Sequence, residues 1–261
     1  MRLLTWNVNS VRLRLEQLAR IDAALRPDVL CLQETKVADP LFPRDAFAAL
    51  GYRHLALLGQ KSYNGVAIAA KRPLESVTSQ NWCGREDCRH LIARLDGIEL
   101  HCLYVPAGGD IPDPEINDKF AHKLNFLDAV TAWFKEQMTS DQPKVLLGDL
   151  NIAPLASDVW SHRAMLKVVS HTPIEIEKMA ALQDSLGWID AVRHFIPPSE
   201  RLSSWWSYRA ADWTISDRGR RLDHIWVTPD LTERLSDASI FIDSRGWLPA
   251  SDHVPVIVDL A

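Results

Sequence analysis

Five apolar runs in this sequence end or begin in residues able to do chemistry. Leu3-Leu4-Thr5-Trp6 runs into Asn7, Val29-Leu30-Cys31-Leu32 into Gln33-Glu34, Cys102-Leu103 into Tyr104, and Val145-Leu146-Leu147-Gly148 into Asp149-Leu150-Asn151, while Ser251-Asp252-His253 leads into Val254-Pro255-Val256. A single Asn or Asp at a strand end is an ordinary turn residue. Five such ends on the most apolar runs of one chain point instead to a site built from strand ends, where α/β cores usually place one. The residue types suit a hard divalent cation: Glu34, with Asn7 beside it, offers the oxygen ligands that Mg2+ accepts while it keeps water and phosphate in its other positions. No His/Cys cluster has zinc spacing, and the four cysteines, Cys31, Cys83, Cys88 and Cys102, read as reduced thiols. Asp149 and Asn151 are two apart, so on an extended backbone both face one way and can grip a water and a phosphoryl oxygen, with Leu150 turned into the core.

The triplet Ser251-Asp252-His253 allows a further deduction. Neighbours on an extended segment point to opposite sides, so Asp252 is badly placed to orient the His253 ring and another carboxylate should do so. Asp223, in Arg221-Leu222-Asp223-His224, opens a further apolar run and is the best candidate; such a pair keeps an imidazole protonated or oriented beside an anionic phosphate. His224 reads as a packed or surface histidine rather than a catalytic one, and His54, His90, His101, His122, His162, His171 and His194 lack such a partner spacing.

The elements that must position these residues are strand-heavy. Strands are expected at Leu3–Val8, Asp28–Gln33, Gly65–Ala70, Leu91–Leu95, Glu99–Val105, Lys144–Leu150, Leu222–Thr228 and Val254–Leu260. Helical stripes are Val11, Leu15, Leu18, Ile21 and Leu25; Phe120, Leu124, Leu127, Phe134 and Met138; and a run from Glu175 to Leu186 ending at Gly187. That mixture predicts an α/β fold in which two mixed sheets pack face to face between helical layers, because it has too few helices for a doubly wound sheet. No linker, repeat or low-complexity tract interrupts residues 1–261, so a single domain is expected. No apolar stretch is long enough for a bilayer helix, and the opening residues reach Asn7 too soon for a signal peptide, so a cytoplasmic protein without membrane contact is expected.

Composition poses a conflict. Thirty-four acids against 29 bases give a net charge of −5, which argues against a general polyanion binder, yet 10 Trp outnumber 7 Phe and 4 Tyr, and Trp favours contact surfaces. Residues 193–226 hold Arg193, Arg201, Arg209, Arg218, Arg220 and Arg221 interleaved with Trp205, Trp206, Tyr208, Trp213 and Trp226, a composition that suits phosphates and unstacked bases. Trp206, Trp213 and Trp226 read equally well as core. Glu34, Asp149, Asp223 and Asp252 are four of the acids, so most of the net charge sits in the candidate metal site and says little about the partner.

Together the motifs resemble the exonuclease III family of abasic-site (AP) endonucleases. Trp6-Asn7-Val8-Asn9-Ser10, Leu32-Gln33-Glu34-Thr35-Lys36, Asn64-Gly65-Val66, Tyr104-Val105-Pro106, Gly148-Asp149-Leu150-Asn151, Trp205-Trp206-Ser207-Tyr208-Arg209, Arg221-Leu222-Asp223-His224-Ile225 and Ser251-Asp252-His253 occur in family order across the chain. The resemblance implies a DNase I-like four-layered α/β sandwich and a Mg2+-dependent hydrolase, with Mn2+ as a substitute ion. Its substrate would be duplex DNA with abasic sites or 3′ ends, cut 5′ to the abasic site, degraded 3′ to 5′, or freed of 3′-blocking groups by a monomeric enzyme. Carried over position by position, Asn7, Glu34, Asp149, Asn151, Asp252 and His253 are expected around the metal, and Tyr104, Asp149, Asn151, Asp223 and His253 are expected to be catalytic. Trp205 and Leu222 are expected against an extruded sugar, with Arg12, Arg89, Arg209 and Arg220 as DNA contacts; Lys119 and Lys123 are further backbone candidates. Two departures stand out: Ala107-Gly108-Gly109 follows Tyr104-Val105-Pro106 where many members have Asn or Gln, and Arg220 replaces a pocket aromatic of some members. A phosphatase or phosphodiesterase of the same superfamily acting on a non-DNA substrate is the first alternative, and an idle nucleic-acid-binding module the second.

Overall fold

Twelve strands form two six-stranded mixed sheets in the computed structural model, which describes residues 1–137, 142–210 and 212–261. They are β1 (Arg2–Asn7), β2 (Val29–Gln33), β3 (His54–Gln60), β4 (Tyr63–Ala70), β5 (Glu75–Trp82), β6 (Arg85–Leu95), β7 (Ile98–Leu103), β8 (Lys144–Asp149), β9 (Ile189–Asp190), β10 (Asp223–Val227), β11 (Leu235–Ile240) and β12 (Val256–Leu260). One sheet runs β11-β12-β1-β2-β4-β3 and the other β5-β6-β7-β8-β10-β9. Each has one parallel pair, β1 with β2 and β7 with β8, among antiparallel neighbours. The helices are α1 (Leu15–Leu25), α2 (Arg44–Ala49), α3 (Asp118–Glu136), α4 (His162–Met165), α5 (Pro173–Asp184), α6 (Ala191–Phe195) and α7 (Trp213–Ser216). Among the described residues none is long and apolar enough to cross a membrane.

Alternation along the strands builds the layers. Leu3, Val29, Cys31, Ile68 and Val258 meet Leu91, Leu100, Cys102, Val145, Leu147 and Ile225 between the sheets. The opposite faces carry helices: Leu4, Trp6, Leu30 and Leu32 pack on Leu18, Ile21 and Phe47 of α1 and α2, and Leu146 and Trp226 on Phe126, Leu127, Phe134, Met179 and Leu182 of α3 and α5. The inter-sheet face then turns polar at one end. Leu3 gives way to Thr5 and Asn7, Cys31 to Gln33, Cys102 to Tyr104, Leu147 to Asp149 and Ile225 to Asp223, so the site begins where the apolar core stops.

All eight expected strands are present with shifted ends, and the four unforeseen ones, β3, β5, β9 and β11, are the edges of the two sheets. An edge strand has one side toward solvent and needs no continuous apolar run. β5 is exposed along most of its length, and β6 starts at Arg85, ahead of the expected Leu91, because its first half pairs with that exposed edge. The first helical stripe is split: Val11–Leu13 is a 3-10 turn and α1 begins at Leu15. α3 is capped by Asn117, whose side chain accepts from Lys119 N; Met138, expected on its stripe, lies outside the described residues. α5 starts with a capping box between Thr172 and Glu175 and Pro173 at its first position, and ends at Asp184.

Candidate active site

Asn7 joins the two sheets. Its Nδ2 donates to Glu34 Oε1 at 3.0 Å and to Asp149 Oδ2 at 3.0 Å, while its Oδ1 accepts from Asn9 N at 3.0 Å. The carboxylates only accept, so the amide NH2 must face them. Fully buried, Asn7 thus spaces two carboxylates. Asp149 can reach it because Gly148 lets β7 and β8 close up; a Cβ there would lie 1.9 Å from Leu103 O.

Glu34 lies just past β2 in the left-handed region, φ 54°, so its side chain departs from the strand alternation. It accepts from Tyr104 Oη at 2.7 Å and pairs with Lys36 Nζ at 2.7 Å. Burial would raise its carboxyl, but the bonds from Asn7, Lys36 and Tyr104, with the Lys36 charge, outweigh that and hold it below its ordinary value. Burial and the Glu34 and Asp149 charges push the Tyr104 phenol well up, so it is a neutral donor.

The expected His253 partner is in place: His253 Nδ1 lies 2.8 Å from Asp223 Oδ2, which also accepts from Ser204 Oγ at 2.7 Å. His253 Nε2 points toward Asp149 Oδ2 at 3.7 Å. Burial would lower the imidazole, yet Asp223 and Asp149 together push it up to about 10. Burial raises Asp149 to about 7, with His253 opposing and Asp223 and Glu34 adding. Asp149, Asp223 and His253 have ligand atoms within 4.8 Å of one another. They form a group that could hold a metal ion, and the Asp223 carboxylate orients the His253 ring within it.

Asn151 approaches Asp149 by a turn, which corrects the extended-strand expectation. β8 stops at Asp149, Asn151 has φ 54°, and its N and Nδ2 donate to Asp149 Oδ1 and Oδ2 at 3.0 and 3.1 Å. Nδ2 also donates to Val105 O at 2.9 Å. Leu150 enters the core as expected. Asp252, on the side away from the Asp223 contact, accepts from Trp205 Nε1 at 3.0 Å and Asn9 Nδ2 at 3.1 Å.

A cleft of about 550 Å³ opens on Glu34, Tyr104, Asp149, Asn151, Asp252 and His253 and continues over Met165, Val169, Trp205 and Leu222. Arg209, Arg218 and Arg220 line it too; Arg220 sits 4.9 Å from the Trp205 ring and donates to Val169 O and Ser170 Oγ at 3.1 and 2.9 Å. Glu34 and Asp252 give the cleft hard oxygens and Glu34 is ionised, a donor set that fits a divalent cation.

Several expected DNA contacts lie elsewhere. Arg12 is exposed outside the cleft lining. Arg89 is a correction: it is 4% exposed, bound to Asp87, Asn64 Oδ1 and Tyr104 O, with its guanidinium 4.6 Å from the Tyr104 ring, so it supports that tyrosine. Arg221 and Arg193 are also buried, in ion pairs with Asp158 and Asp190. Lys123 is fully buried, whereas Lys119 is exposed. Trp206 and Trp226 are core, and half-buried Trp213 meets Trp206 edge-on at 5.1 Å.

Sequence reasoning missed Ser204, whose Oγ also accepts from Leu222 N and Asp223 N at 3.0 Å each; only its place beside Trp205 hinted at it. It missed the buried pair His90 and His101, 3.1 Å apart with Glu99 at 2.9 Å, and the pair His162 and His171 at 2.8 Å, because neither has a local spacing signal.

A two-sheet sandwich with acidic strand ends and a buried His–Asp pair in one cleft defines a class of phosphoester hydrolases, and a model of the Endonuclease/Exonuclease/phosphatase family matches residues 4–253. The chain belongs to that family, in which metal dependence is general. It is 31% identical over 265 residues to Exodeoxyribonuclease III of Haemophilus influenzae, covering 98% of each chain. It is similar to a solved AP endonuclease from Archaeoglobus fulgidus, TM-score 0.91 and 32% identity over 100% of this chain and 99% of that one. It is also similar to the 3′ phosphatase NExo from Neisseria bound to product DNA hairpin, TM-score 0.92 and 31% identity with the same coverage.

Proposed function

We propose that the chain is a DNA-repair nuclease that hydrolyses phosphodiesters in duplex DNA with Mg2+, cutting 5′ to abasic sites, degrading 3′ ends and removing 3′-blocking groups. Full-length similarity to an exodeoxyribonuclease III, an AP endonuclease and a 3′ phosphatase supports the substrate class. One observation carries the chemistry: Asn7 holds ionised Glu34 together with Asp149, a carboxyl raised to about 7 whose ionised form is a base, with the Asp223-bound His253 beside Asp149 in the same cleft. Asp149 takes the proton of the attacking water, and Asn151 orients that water with it. His253, kept charged by Asp223, and neutral Tyr104 stabilise negative charge on the phosphoryl oxygens. Glu34 and Asp252 would hold the ion, Mg2+ or Mn2+, which when bound would supply positive charge to the phosphoryl oxygens. Trp205, Leu222 and Met165 receive the extruded sugar while Arg209, Arg218 and Arg220 contact the backbone. A non-DNA phosphatase would have no use for that Trp and Arg wall.

The test is a duplex bearing one abasic-site analogue, with Mg2+ or with chelator. Cleavage with Mg2+ alone is expected; no cleavage, with phosphate released from an inositol polyphosphate instead, overturns the reading. Glu34→Ala should regain part of its activity at raised Mg2+ and Asp149→Asn none, and equal rescue refutes the division of roles.

A further inference from the structure

Behind the site lies a buried ion pair that the chemistry above does not use. Lys123 of α3 and Glu175 of α5 are both 0% exposed and 2.5 Å apart. The three protons of the ammonium each have an acceptor: Glu175 Oε1, Asn151 O at 2.8 Å and Ala107 O at 3.3 Å. Those two carbonyls belong to the two loops that leave the inter-sheet face, one after Tyr104 and one carrying Asn151. Gly108, φ 91°, lies against the Lys123 stem, where a Cβ would be 2.9 Å from Lys123 Cδ, so the Ala107-Gly108-Gly109 departure is shaped to the lysine. Glu175 also accepts from Ser170 N and Thr172 N, next to the Val169 and Ser170 wall that Arg220 holds.

We propose that Lys123 is a positioning residue for hydrolysis: its ammonium clamps the Tyr104 loop to the Asn151 loop and so fixes Asn151 against Asp149, with Glu175 as the counter-charge that lets the lysine stay buried. Burial lowers the lysine, with Glu175 opposing. The clamp acts through hydrogen bonds to carbonyls, which sets its behaviour apart from that of a stabilising ion pair. In Glu175→Gln the lysine can turn neutral, keep two protons for the two carbonyls, and accept from the new amide. In Lys123→Met both carbonyls lose their donor.

The inference rests on the nuclease reading, and wild-type cleavage of an abasic-analogue duplex with Mg2+ checks that reading in the same assay. kcat, KM and melting temperature are measured for Lys123→Met, Glu175→Gln and the double variant. The expected result is a kcat loss of about 10- to 100-fold in Lys123→Met, from a misplaced catalytic amide, with KM within about twofold. Glu175→Gln should lose kcat far less, although its melting temperature falls. The double variant should regain melting temperature, because no unpaired charge stays buried, without regaining kcat. Recovery of kcat alongside melting temperature in the double variant, or equal kcat losses in the two single variants, overturns the proposal; should Lys123→Met and the double variant fail to fold, a kcat loss in folded Glu175→Gln of tenfold or more does so as well.

Discussion

Two buried charge arrays lie side by side in this molecule and divide one motif between them. Arg221 and Asp223 are two residues apart, yet Arg221 joins Asp158, Asp190 and Arg193 in one array, while Asp223 joins His253, Asp149 and Glu34 in the other. In the first, cations and carboxylates match in number and contact directly. Burial opposes ionisation of Asp158 and Asp190, but the arginines outweigh it and hold both below the usual carboxylate range. In the second, carboxylates outnumber cations, and Asp149 is left at about 7 beside an imidazole at about 10. A matched array is finished and holds the fold. An unmatched array stores a demand for charge that an ion and a substrate can meet.

Removing one carboxylate from each array is the strongest way to break this contrast. Asp149→Asn should cut the rate about a thousandfold while the melting temperature holds or rises, since it deletes a carboxylate that burial already disfavours. Asp158→Asn should leave two arginines facing lost charge and cost about 3 to 5 kcal/mol of stability, read by denaturant unfolding. Equal stability losses in the two variants would erase the distinction.

pH separates the arrays with a smaller effect. The folded His253 is raised from 6.5 to about 10, so its contribution is complete below 6.5 and is lost as pH rises through about 10. Asp158 is lowered from 3.8, so its contribution is present above 3.8 and is lost as pH falls through the still lower folded value. In chelator, the stability advantage of wild type over His253→Gln should therefore shrink toward alkaline pH, and its advantage over Asp158→Asn should shrink in acid. Advantages that do not change with pH would contradict both assignments. The smallest effect belongs to the cleft rim: Arg209→Ala and Arg218→Ala should each raise KM and reduce the slope of log affinity against log salt by about 0.9, one phosphate contact apiece. An unchanged slope removes them from the interface.

Legibility followed burial. Interior strands announced themselves as apolar runs, whereas the edge strands β5, β9 and β11 carried no such run because solvent takes one side of each; β3, also an edge, holds Leu55-Ala56-Leu57-Leu58 and was overlooked despite it. Alternation sufficed to turn His253 away from Asp252, and Asp223, chosen as the best candidate because it opens a further apolar run, is the partner found. Alternation failed at Asn151, because left-handed backbone breaks the period of two there. Arginines were the least legible: Arg89, Arg193 and Arg221 have the composition of a DNA contact and the burial of a scaffold, and nothing local distinguishes them from Arg209 or Arg218.

The sequence by itself determined the sandwich, the strand ends that carry polar groups, and that Asp252 does not orient His253, because each follows from side-chain period and residue type. The tertiary structure decided how those groups are charged and which of them touch. Asn7 between Glu34 and Asp149, the upward shifts of Asp149 and His253 and the bonds of Lys123 to two carbonyls all depend on how closely the two sheets and their loops approach and on how deeply these groups are buried, and neither quantity is written in the order of residues.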